Sequence, residues 1–168
     1  MRTQPRLVVR DMRSDDVDAV VAILRSWVQA PWMEEAFPAL RASAEAVTDQ
    51  RFVVAESVPD GAVVGVMGLM WGDIDPELLD GTEATAELVR AYVADPTRGT
   101  GVGTALADHL EGVAREMGFT RLVIESGSIH RETGYPFWRR RYGEPFLVSP
   151  DHWGPGVERV AWRTSLTD

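Results

Sequence analysis

The chain contains no cysteine and no lysine, so all 17 of its basic residues are arginines. Without cysteine there can be no disulfide, no thiolate metal site and no cysteine nucleophile. Without lysine there can be neither a Walker-type phosphate loop, which needs its Lys, nor a Schiff-base mechanism. These absences exclude several common classes of enzyme.

The sequence also lacks an apolar run long enough to span a bilayer, and its first residues lack the apolar core of a signal peptide. We therefore expect a cytoplasmic protein without a membrane partner. The 168 residues, 45% hydrophobic and 26% charged, fit a single globular domain over residues 1–168.

The net charge of -9 leaves the chain without the basic field that a nucleic-acid-binding protein needs. We therefore expect no nucleic-acid partner. An acidic surface attracts positively charged ligands, which is compatible with a cationic substrate. The other interpretation is that the charge serves solubility alone.

Hydrophobic periodicity predicts the order β-α-(α)-β-β-β-α-β-α-β, with Ser14 as the N-cap of the first helix. This order predicts an α/β (α+β) fold with a mixed sheet flanked by helices, not a doubly wound repeat. The predicted strands are 6–12, 51–57, 62–71, 84–94, 120–126 and 157–166. The predicted helices are 15 to about 29, Leu40–Val47, 104–118 and 135–143.

The most informative segment joins the strand at 84–94 to the helix at 104–118, with glycines at positions 99, 101 and 103. Glycine lets a backbone approach a ligand closely and adopt dihedrals that other residues avoid. The first turn of a helix has unpaired N–H groups and the positive end of the dipole, which together bind phosphate. Arg98 adds a positive charge to the same turn. The segment therefore predicts a diphosphate site.

Two other interpretations of this turn stay open. A Rossmann dinucleotide site requires G-x-G-x-x-G, and Thr104 stands where the third glycine belongs, although Glu125 could bind a ribose near the end of the next strand. The turn could also be a connection without a ligand. Alternating glycines at a helix start are costly, however, unless something approaches them.

In its context, the segment resembles the acyl-CoA signature of the GCN5-related N-acetyltransferase (GNAT) superfamily, commonly written R/Q-x-x-G-x-G/A. Arg98, Gly101 and Gly103 match it, and the resemblance covers roughly residues 6–146. It implies a GNAT-like mixed, mostly antiparallel sheet flanked by helices, in which the strand before the turn splays from its neighbour. It also implies acetyl-CoA as co-substrate. The implied cofactor contacts are Tyr92, Val93, Arg98, Gly99, Thr100, Gly101, Val102, Gly103, Thr104 and, more loosely, Ser126.

The resemblance implies an N-acetyltransferase that moves an acetyl group to a primary amine. Direct transfer needs a neutral amine and a proton for the leaving thiolate. Because cysteine is absent, attack within a ternary complex is the simpler expectation. Glu87 is the candidate base, since it resembles the acidic position often seen on this strand in the family and burial would raise its pKa. The other interpretation is a surface residue paired with Arg90.

The general acid departs from the family pattern. A second motif, roughly F-Y-x-x-x-G-F, supplies a Tyr that protonates the thiolate, and here Trp138 occupies the Tyr position. Tyr142 or Tyr135 could substitute, with core packing as the alternative for both. The loss of the usual Tyr favours an alternative function, a non-catalytic acyl-CoA-binding sensor or a degenerate family member.

The acceptor is expected to be a small-molecule or peptide amine. An acidic segment suits a polyamine, an aminoglycoside-like compound or a basic peptide end, although a solvated loop would look the same. The three histidines lie apart without carboxylate partners at ligand spacing, so we expect no metal site. The final strand could pair across a homodimer interface. The acids of the segment are Asp73, Asp75, Glu77, Asp80 and Glu83.

Overall fold

The computed structural model describes residues 6–45 and 48–167, so the end of the predicted helix over Leu40–Val47 lies outside the described residues. Seven strands form one sheet in the order β1-β2-β3-β4-β5-β7-β6. Over the described residues the neighbouring strands are antiparallel, except that β4 and β5 are parallel. The prediction of a mixed, mostly antiparallel sheet is confirmed. The strands are β1 (Arg6–Asp11), β2 (Gln50–Val58), β3 (Val63–Met70), β4 (Thr85–Val93), β5 (Arg121–Gly127), β6 (Leu147–Ser149) and β7 (Arg159–Ser165).

Helices flank the sheet, and no helix in the described part of the chain is long and apolar enough to cross a membrane. The sequence missed α2, which begins at Pro31, because proline is tolerated in a first helical turn and does not break the chain there. It also missed β6, whose three residues are too few to produce a periodic pattern. The helices are α1 (Val17–Trp27), α2 (Pro31–Glu35), α3 (Phe37–Glu45), α4 (Val102–Glu116) and α5 (Gly134–Tyr142).

The prediction of Ser14 as the N-cap of the first helix is wrong. Ser14 lies in a short 3-10 turn, Ser14–Asp16, that leads into α1. The carboxylate of Asp16 instead accepts the N–H of Arg13 at 2.7 Å. Asp16 lies three residues after Arg13 and satisfies the free amide of that residue, as the carboxylate of a capping box does at many helix starts.

The two faces of the sheet have different covers, because successive side chains of a strand point to opposite faces. On one face, called here the α4 face, α4 and α5 pack on a core that includes Leu88, Leu106 and Ile124. On the other, the α1 face, α1 and α3 cover β2 and β3 around residues such as Leu24. Beside them, the loop of residues 73–83 places Leu78 against β5 and β7. On this face, β4 lies at the border between the part of the sheet covered by α1 and α3 and the part covered by the loop.

Beyond their first four paired residues, β4 and β5 separate. Their parallel pairing ends at Leu88 and Ile124. Just past this point the pairing of β4 with β3 is interrupted, and Arg90 adopts a positive φ of 53°. An extra residue in one strand bends it and increases its twist. The opening between β4 and β5 beyond Leu88, called here the gap, therefore connects the two faces of the sheet.

Candidate active site

A glycine of β3 allows the glycine-rich turn and the start of α4 to lie close against the sheet. A Cβ atom on Gly65 would lie 2.7 Å from the side chain of Val102, the first residue of α4. Gly65 is paired with Val93 of β4. The missing side chain at Gly65 therefore lets the start of α4 lie directly on the sheet next to the last residues of β4.

The turn keeps its amide groups free and its surface open. Gly99 and Gly101 have φ values of 74° and 93°, and a Cβ on either would meet no atom of the described residues beyond its chain neighbours within 4 Å. Glycine is thus required there by the backbone conformation and not by protein neighbours. Within residues 6–45 and 48–167, the amides of Gly101, Val102, Gly103 and Thr104 donate no hydrogen bond. These N–H groups at the start of a 15-residue helix fit a phosphate group.

The edge of β4 that faces the gap presents the backbone of Val93. The amide of Ala94 donates to the carbonyl of Val64 at 2.8 Å, so the polar groups of Ala94 and Tyr92 point toward β3. The backbone N–H and carbonyl of Val93, the residue between them, point toward the gap. The carbonyl of Val93 there accepts the indole N–H of Trp27 at 2.9 Å.

Arg98 is folded back onto the α1 face of the molecule. Its guanidinium carbon lies 3.5 Å from the ring centroid of Trp27, and Nη1 lies 2.9 Å from a carboxylate oxygen of Asp95. Such stacking of a cation on an indole is attractive. Thr100 uses its hydroxyl to donate to the carbonyl of Thr97 at 2.6 Å. Thr104 lies exposed in the first turn of α4.

Two aromatic residues meet across the mouth of the gap. The hydroxyl of Tyr92 lies 3.2 Å from Nε2 of His130, in the turn that follows β5. Burial raises the pKa of Tyr92 and lowers that of His130, so both rings are neutral at pH 7. Trp27 packs against both rings. The backbone of Tyr92 points toward β3, and its side chain lies on the α1 face.

Ser126 and Tyr135 lie together on the α4 face. The side-chain oxygen of Ser126 is 3.4 Å from the position of a Cβ on Gly134, at the start of α5. The hydroxyl of Tyr135 donates to the carbonyl of Ser126 at 3.5 Å and lies 3.3 Å from a carboxylate oxygen of Glu158. Burial and the charge of Glu158 raise the pKa of Tyr135 to about 12. Tyr135 therefore keeps its proton at neutral pH.

Tyr142 is held at the far end of α5. Its hydroxyl donates to Glu111 of α4 at 2.7 Å, and Arg141 donates to the same carboxylate. Its ring stacks on Trp138 with an interplanar angle of 7°. Burial raises the pKa of Tyr142 above its ordinary value. The structure does not bring Tyr142 together with Glu87, because the two side chains lie on opposite faces of the sheet.

Glu87 lies in the centre of the sheet on the α1 face. It is paired with Met70 of β3 and Val123 of β5, and its neighbours Ala86 and Leu88 belong to the core of the opposite face. The residue is only 4% exposed. Its carboxyl makes no hydrogen bond or ion pair in the part of the chain that the structure describes. The alternative of a surface pair with Arg90 is therefore wrong.

Burial is the main reason why the pKa of Glu87 rises to about 8, and the nearby negative charge of Glu125 adds to the rise. A buried carboxylate without hydrogen-bond donors is poorly stabilised compared with the neutral acid. Near neutral pH this group therefore both gains and loses its proton, which is the property of a general acid or base.

The acidic loop at 73–83 is fastened to the sheet. Arg159 of β7 has a fully buried side chain that contacts Asp75 at 2.7 Å, Glu77, and Glu125 at 3.5 Å. Arg121 contacts Asp80 of the same loop at 2.8 Å. Most of these acids thus pair with arginines, an arrangement that sequence reasoning missed. Arg159 follows a turn in an ordinary strand pattern, and nothing in that pattern indicates that it is buried.

Taken together, the predicted cofactor turn and the predicted base lie on either side of one opening. The turn and Ser126 belong to the α4 face, while Glu87 belongs to the α1 face, and the gap connects them. Among the described residues, no group of three or more His, Asp or Glu side chains is arranged to hold a metal ion.

Solved structures resemble this chain along almost its whole length. A protein from Desulfovibrio desulfuricans described as an acetyltransferase of the GNAT family has a TM-score of 0.79 at 18% identity, covering 96% of this chain and 100% of its own. A GCN5-related N-acetyltransferase from Kribbella flavida has a TM-score of 0.73 at 20% identity, with 95% and 97% covered. An aminoglycoside 6'-N-acetyltransferase complexed with coenzyme A has a TM-score of 0.70 at 16% identity, with 96% and 98% covered. At these identities the likeness establishes the fold.

No curated protein matches the chain in sequence. The sequence model of the acetyltransferase (GNAT) family, in contrast, matches residues 17–131, which include β4, the glycine-rich turn, α4 and β5. This match spans more than half of the chain, and the sheet, the gap and the turn agree with it. The chain therefore belongs to the GNAT family of acetyltransferases.

Proposed function

We propose that the protein is an acetyl-CoA-dependent N-acetyltransferase that acetylates a primary amine by direct attack in a ternary complex. The observation that carries the proposal is the buried carboxyl of Glu87 beside the gap, which has no partner among the residues that the structure describes, opposite the turn amides that are likewise free there. The solved aminoglycoside acetyltransferase complexed with coenzyme A supports the same donor for this fold.

The amides of residues 101–104 would hold the diphosphate of coenzyme A, and the amide of Val93 would bind its pantetheine arm. Ser126 lies on the same face, beside the gap, where its hydroxyl can contact that arm. Bound acetyl-CoA would supply an acetyl group activated as a thioester. The helix dipole and the free N–H groups favour an anion at this end of α4.

Glu87 would take a proton from the incoming ammonium group on the α1 face. A general base is most effective when its pKa lies near the working pH, and the pKa of about 8 meets this condition. A carboxylate with an ordinary pKa would be a much weaker base toward an alkylammonium group, whose pKa is about 10. Because no described residue donates a hydrogen bond to Glu87, its oxygens would be free for the amine or a bridging water.

For the proton donor we propose Tyr135 in preference to Tyr142. Tyr135 lies in the first turn of α5, next to Ser126 and to the end of β5. The hydroxyl of Tyr142 is engaged with Glu111 and Arg141. With a pKa of about 12, Tyr135 would donate a hydrogen bond to the thiolate more readily than a proton. We therefore expect its contribution to be small.

The second candidate function is a non-catalytic acyl-CoA-binding sensor. It is favoured by Trp138, which stands at the position of the family's usual Tyr, and by the engagement of both nearby tyrosine hydroxyls. Both candidates bind acetyl-CoA, but only an enzyme releases free thiol when an amine is added. The unpartnered Glu87 favours the enzyme, because a sensor has no use for a buried base.

The test is calorimetric titration with acetyl-CoA, with NAD and ATP as controls, followed by thiol release with a panel of amines. We expect binding of acetyl-CoA alone, and its loss in Gly101→Val, which forces a side chain to a φ of 93° in the turn. The matched control is Gly118→Val at the other end of α4, with a φ of 89° and equally open space, which keeps binding. Unchanged affinity in Gly101→Val, or binding of NAD instead, contradicts the proposal. Binding without thiol release for any amine supports the sensor.

A further inference from the structure

The carboxylates around Arg159 form a group on the α1 face that the acetyl transfer itself does not require. This group, called here the Arg159 cluster, consists of Asp75, Glu77, Glu125 and Arg159. Arg159 is fully buried, and its single positive charge faces three carboxylates. The cluster is therefore negative overall.

Glu125 is the least well paired carboxylate of the cluster. Asp75 lies 2.7 Å from Nη1 of Arg159 and Glu77 binds Nη2, whereas Glu125 is 3.5 Å from Nη1. A separation of 3.5 Å is at the limit of a hydrogen bond, so the negative charge of Glu125 is poorly compensated. Its side chain is 29% exposed, which leaves it accessible to a ligand.

Glu87 provides an independent indication that a ligand binds here. It is 4% exposed, and within the described ranges 6–45 and 48–167 it has no hydrogen-bond partner. The register pairs it with Val123, two residues before Glu125 on the same face. Strand geometry then places the Cα atoms of Glu87 and Glu125 about 8 Å apart, on the two strands that border the gap. Two carboxyl-bearing residues on one face, on neighbouring strands, can together bind a molecule with two cationic groups.

Trp153 adds an aromatic surface at the end of β5 that carries Glu125. A Cβ on Gly127 would lie 3.3 Å from the indole ring, and Gly127 is two residues after Glu125 in β5. Because strand residues two apart share a face, the ring and the Glu125 carboxylate both lie on the α1 face. The indole is 47% exposed although it is large and apolar. An exposed indole next to a carboxylate is a favourable site for an ammonium group.

We propose that the acceptor is an alkyl diamine or polyamine: the amine beside Glu87 is acetylated, and Glu125 and the ring of Trp153 bind a second ammonium group. This inference rests on the proposed function, since it assigns the acceptor of the same site. Glu125 is then a specificity-determining residue that selects substrates by their second charge. Asp75, Glu77 and Arg159 hold the loop that forms the wall of this subsite.

The test is calorimetric titration of putrescine and cadaverine, each compared with the monoamine of equal length, butylamine or pentylamine. Free coenzyme A is present throughout, so that binding is measured without turnover. For the wild-type protein we expect the diamines to bind about tenfold more tightly than the monoamines, as one charge-assisted contact provides. Glu125→Gln removes this preference, and Glu125→Asp, which keeps the charge, retains part of it. The matched control Glu132→Gln, an exposed acid before α5, retains it fully.

Equal affinities for diamines and monoamines, no detectable binding of diamines, or a preference that survives Glu125→Gln would each overturn the inference. Its failure is distinguishable from failure of the proposed function. If amines accept acetyl groups without a preference for diamines, only the diamine subsite is wrong. If diamines bind through Glu125 but no thiol is released, the subsite stands and the enzymatic proposal fails.

Discussion

Two buried carboxyl groups of this protein have opposite environments. Asp16, between β1 and α1, is 7% exposed and accepts hydrogen bonds from both terminal nitrogens of Arg10 and from the amide of Arg13. These bonds, that of Arg10 foremost, lower the pKa of Asp16. Glu87, in the middle of β4, is 4% exposed and accepts none within the described chain, and its pKa rises to about 8.

The comparison separates the effect of burial from that of hydrogen bonding. Both groups are removed from water, but only Asp16 receives donors that replace it, so it stays charged and stabilises the fold. Glu87 receives no such compensation and changes its protonation near neutral pH. A buried group whose pKa is shifted in this direction is costly to the fold, and such groups concentrate at functional sites. The contrast therefore supports the proposal that Glu87 serves the reaction, whereas Asp16 stabilises the fold.

The largest effect that tests this contrast is on turnover. We expect Glu87→Gln to lower kcat by at least about 100-fold, the usual effect of removing a general base, with little change in acetyl-CoA affinity. The loss should shrink at high pH, because free amine accumulates there without a base. Steady-state rates measured from about pH 6 to about pH 10, roughly two pH units on either side of the Glu87 pKa of about 8, show how the loss depends on pH. A loss that is the same at every pH would give Glu87 a structural role.

The reverse experiment is Asp16→Asn, which also removes a buried carboxylate. We expect the free energy of unfolding to fall by about 2–4 kcal/mol, because Arg10 loses the carboxylate that binds both of its terminal nitrogens and keeps its contact with Glu56. Turnover at temperatures where the variant is folded should be unchanged. Since the pKa of Asp16 is lowered in the folded protein, its stabilising contribution is present above the ordinary value of 3.8 and is lost as the pH falls. Urea unfolding of wild type and variant at pH 7 and at about pH 2 checks the stability statement, because the difference between them should be present at the first pH and largely lost at the second. A variant as stable as wild type at pH 7 contradicts the contrast.

The stability of Glu87→Gln gives a third effect, of opposite sign. The pKa of Glu87 is about 8 in the folded protein against an ordinary 4.5, so the folded state binds the proton more tightly. The stability associated with this proton is complete below the ordinary value and is lost as the pH rises through about 8. We therefore expect Glu87→Gln to be more stable than wild type by about 2–5 kcal/mol above that pH, the upper figure being the full linkage of a pKa raised from 4.5 to about 8, with little difference in acid. Urea unfolding as a function of pH measures it. A variant less stable than wild type at alkaline pH would mean that Glu87 has partners.

The two carboxyls also indicate what the sequence can and cannot predict. The sequence predicts Glu87 as the base because it resembles a family position on a strand next to a glycine-rich turn. These features lie within about 20 consecutive positions of β4 and α4. The main strands and helices are predicted by hydrophobic periodicity, which is also a property of consecutive residues. The Arg159 cluster joins residues 75, 77, 125 and 159 through tertiary packing, and Asp16 is bound by Arg10 of β1 as well as by the amide of Arg13. Contacts between distant segments leave no periodic signal, so the Arg159 cluster could not be predicted from the sequence.

The smallest effect concerns two tyrosines of α5, which repeat the contrast between partnered and less constrained groups. Tyr142 donates to Glu111 at 2.7 Å, while the contacts of Tyr135 with Ser126 and Glu158 are 3.5 Å and 3.3 Å long. We expect Tyr142→Phe to cost about 1 kcal/mol of stability, the value of one hydrogen bond, with kcat essentially unchanged. Tyr135→Phe should leave stability nearly unchanged and lower kcat by less than about tenfold, because a hydroxyl with so high a pKa assists the leaving thiolate only by a hydrogen bond. Unfolding and thiol-release measurements on both variants distinguish them. If Tyr142→Phe instead gave the larger loss of kcat, α5 would have to move during the reaction to bring that hydroxyl to the gap.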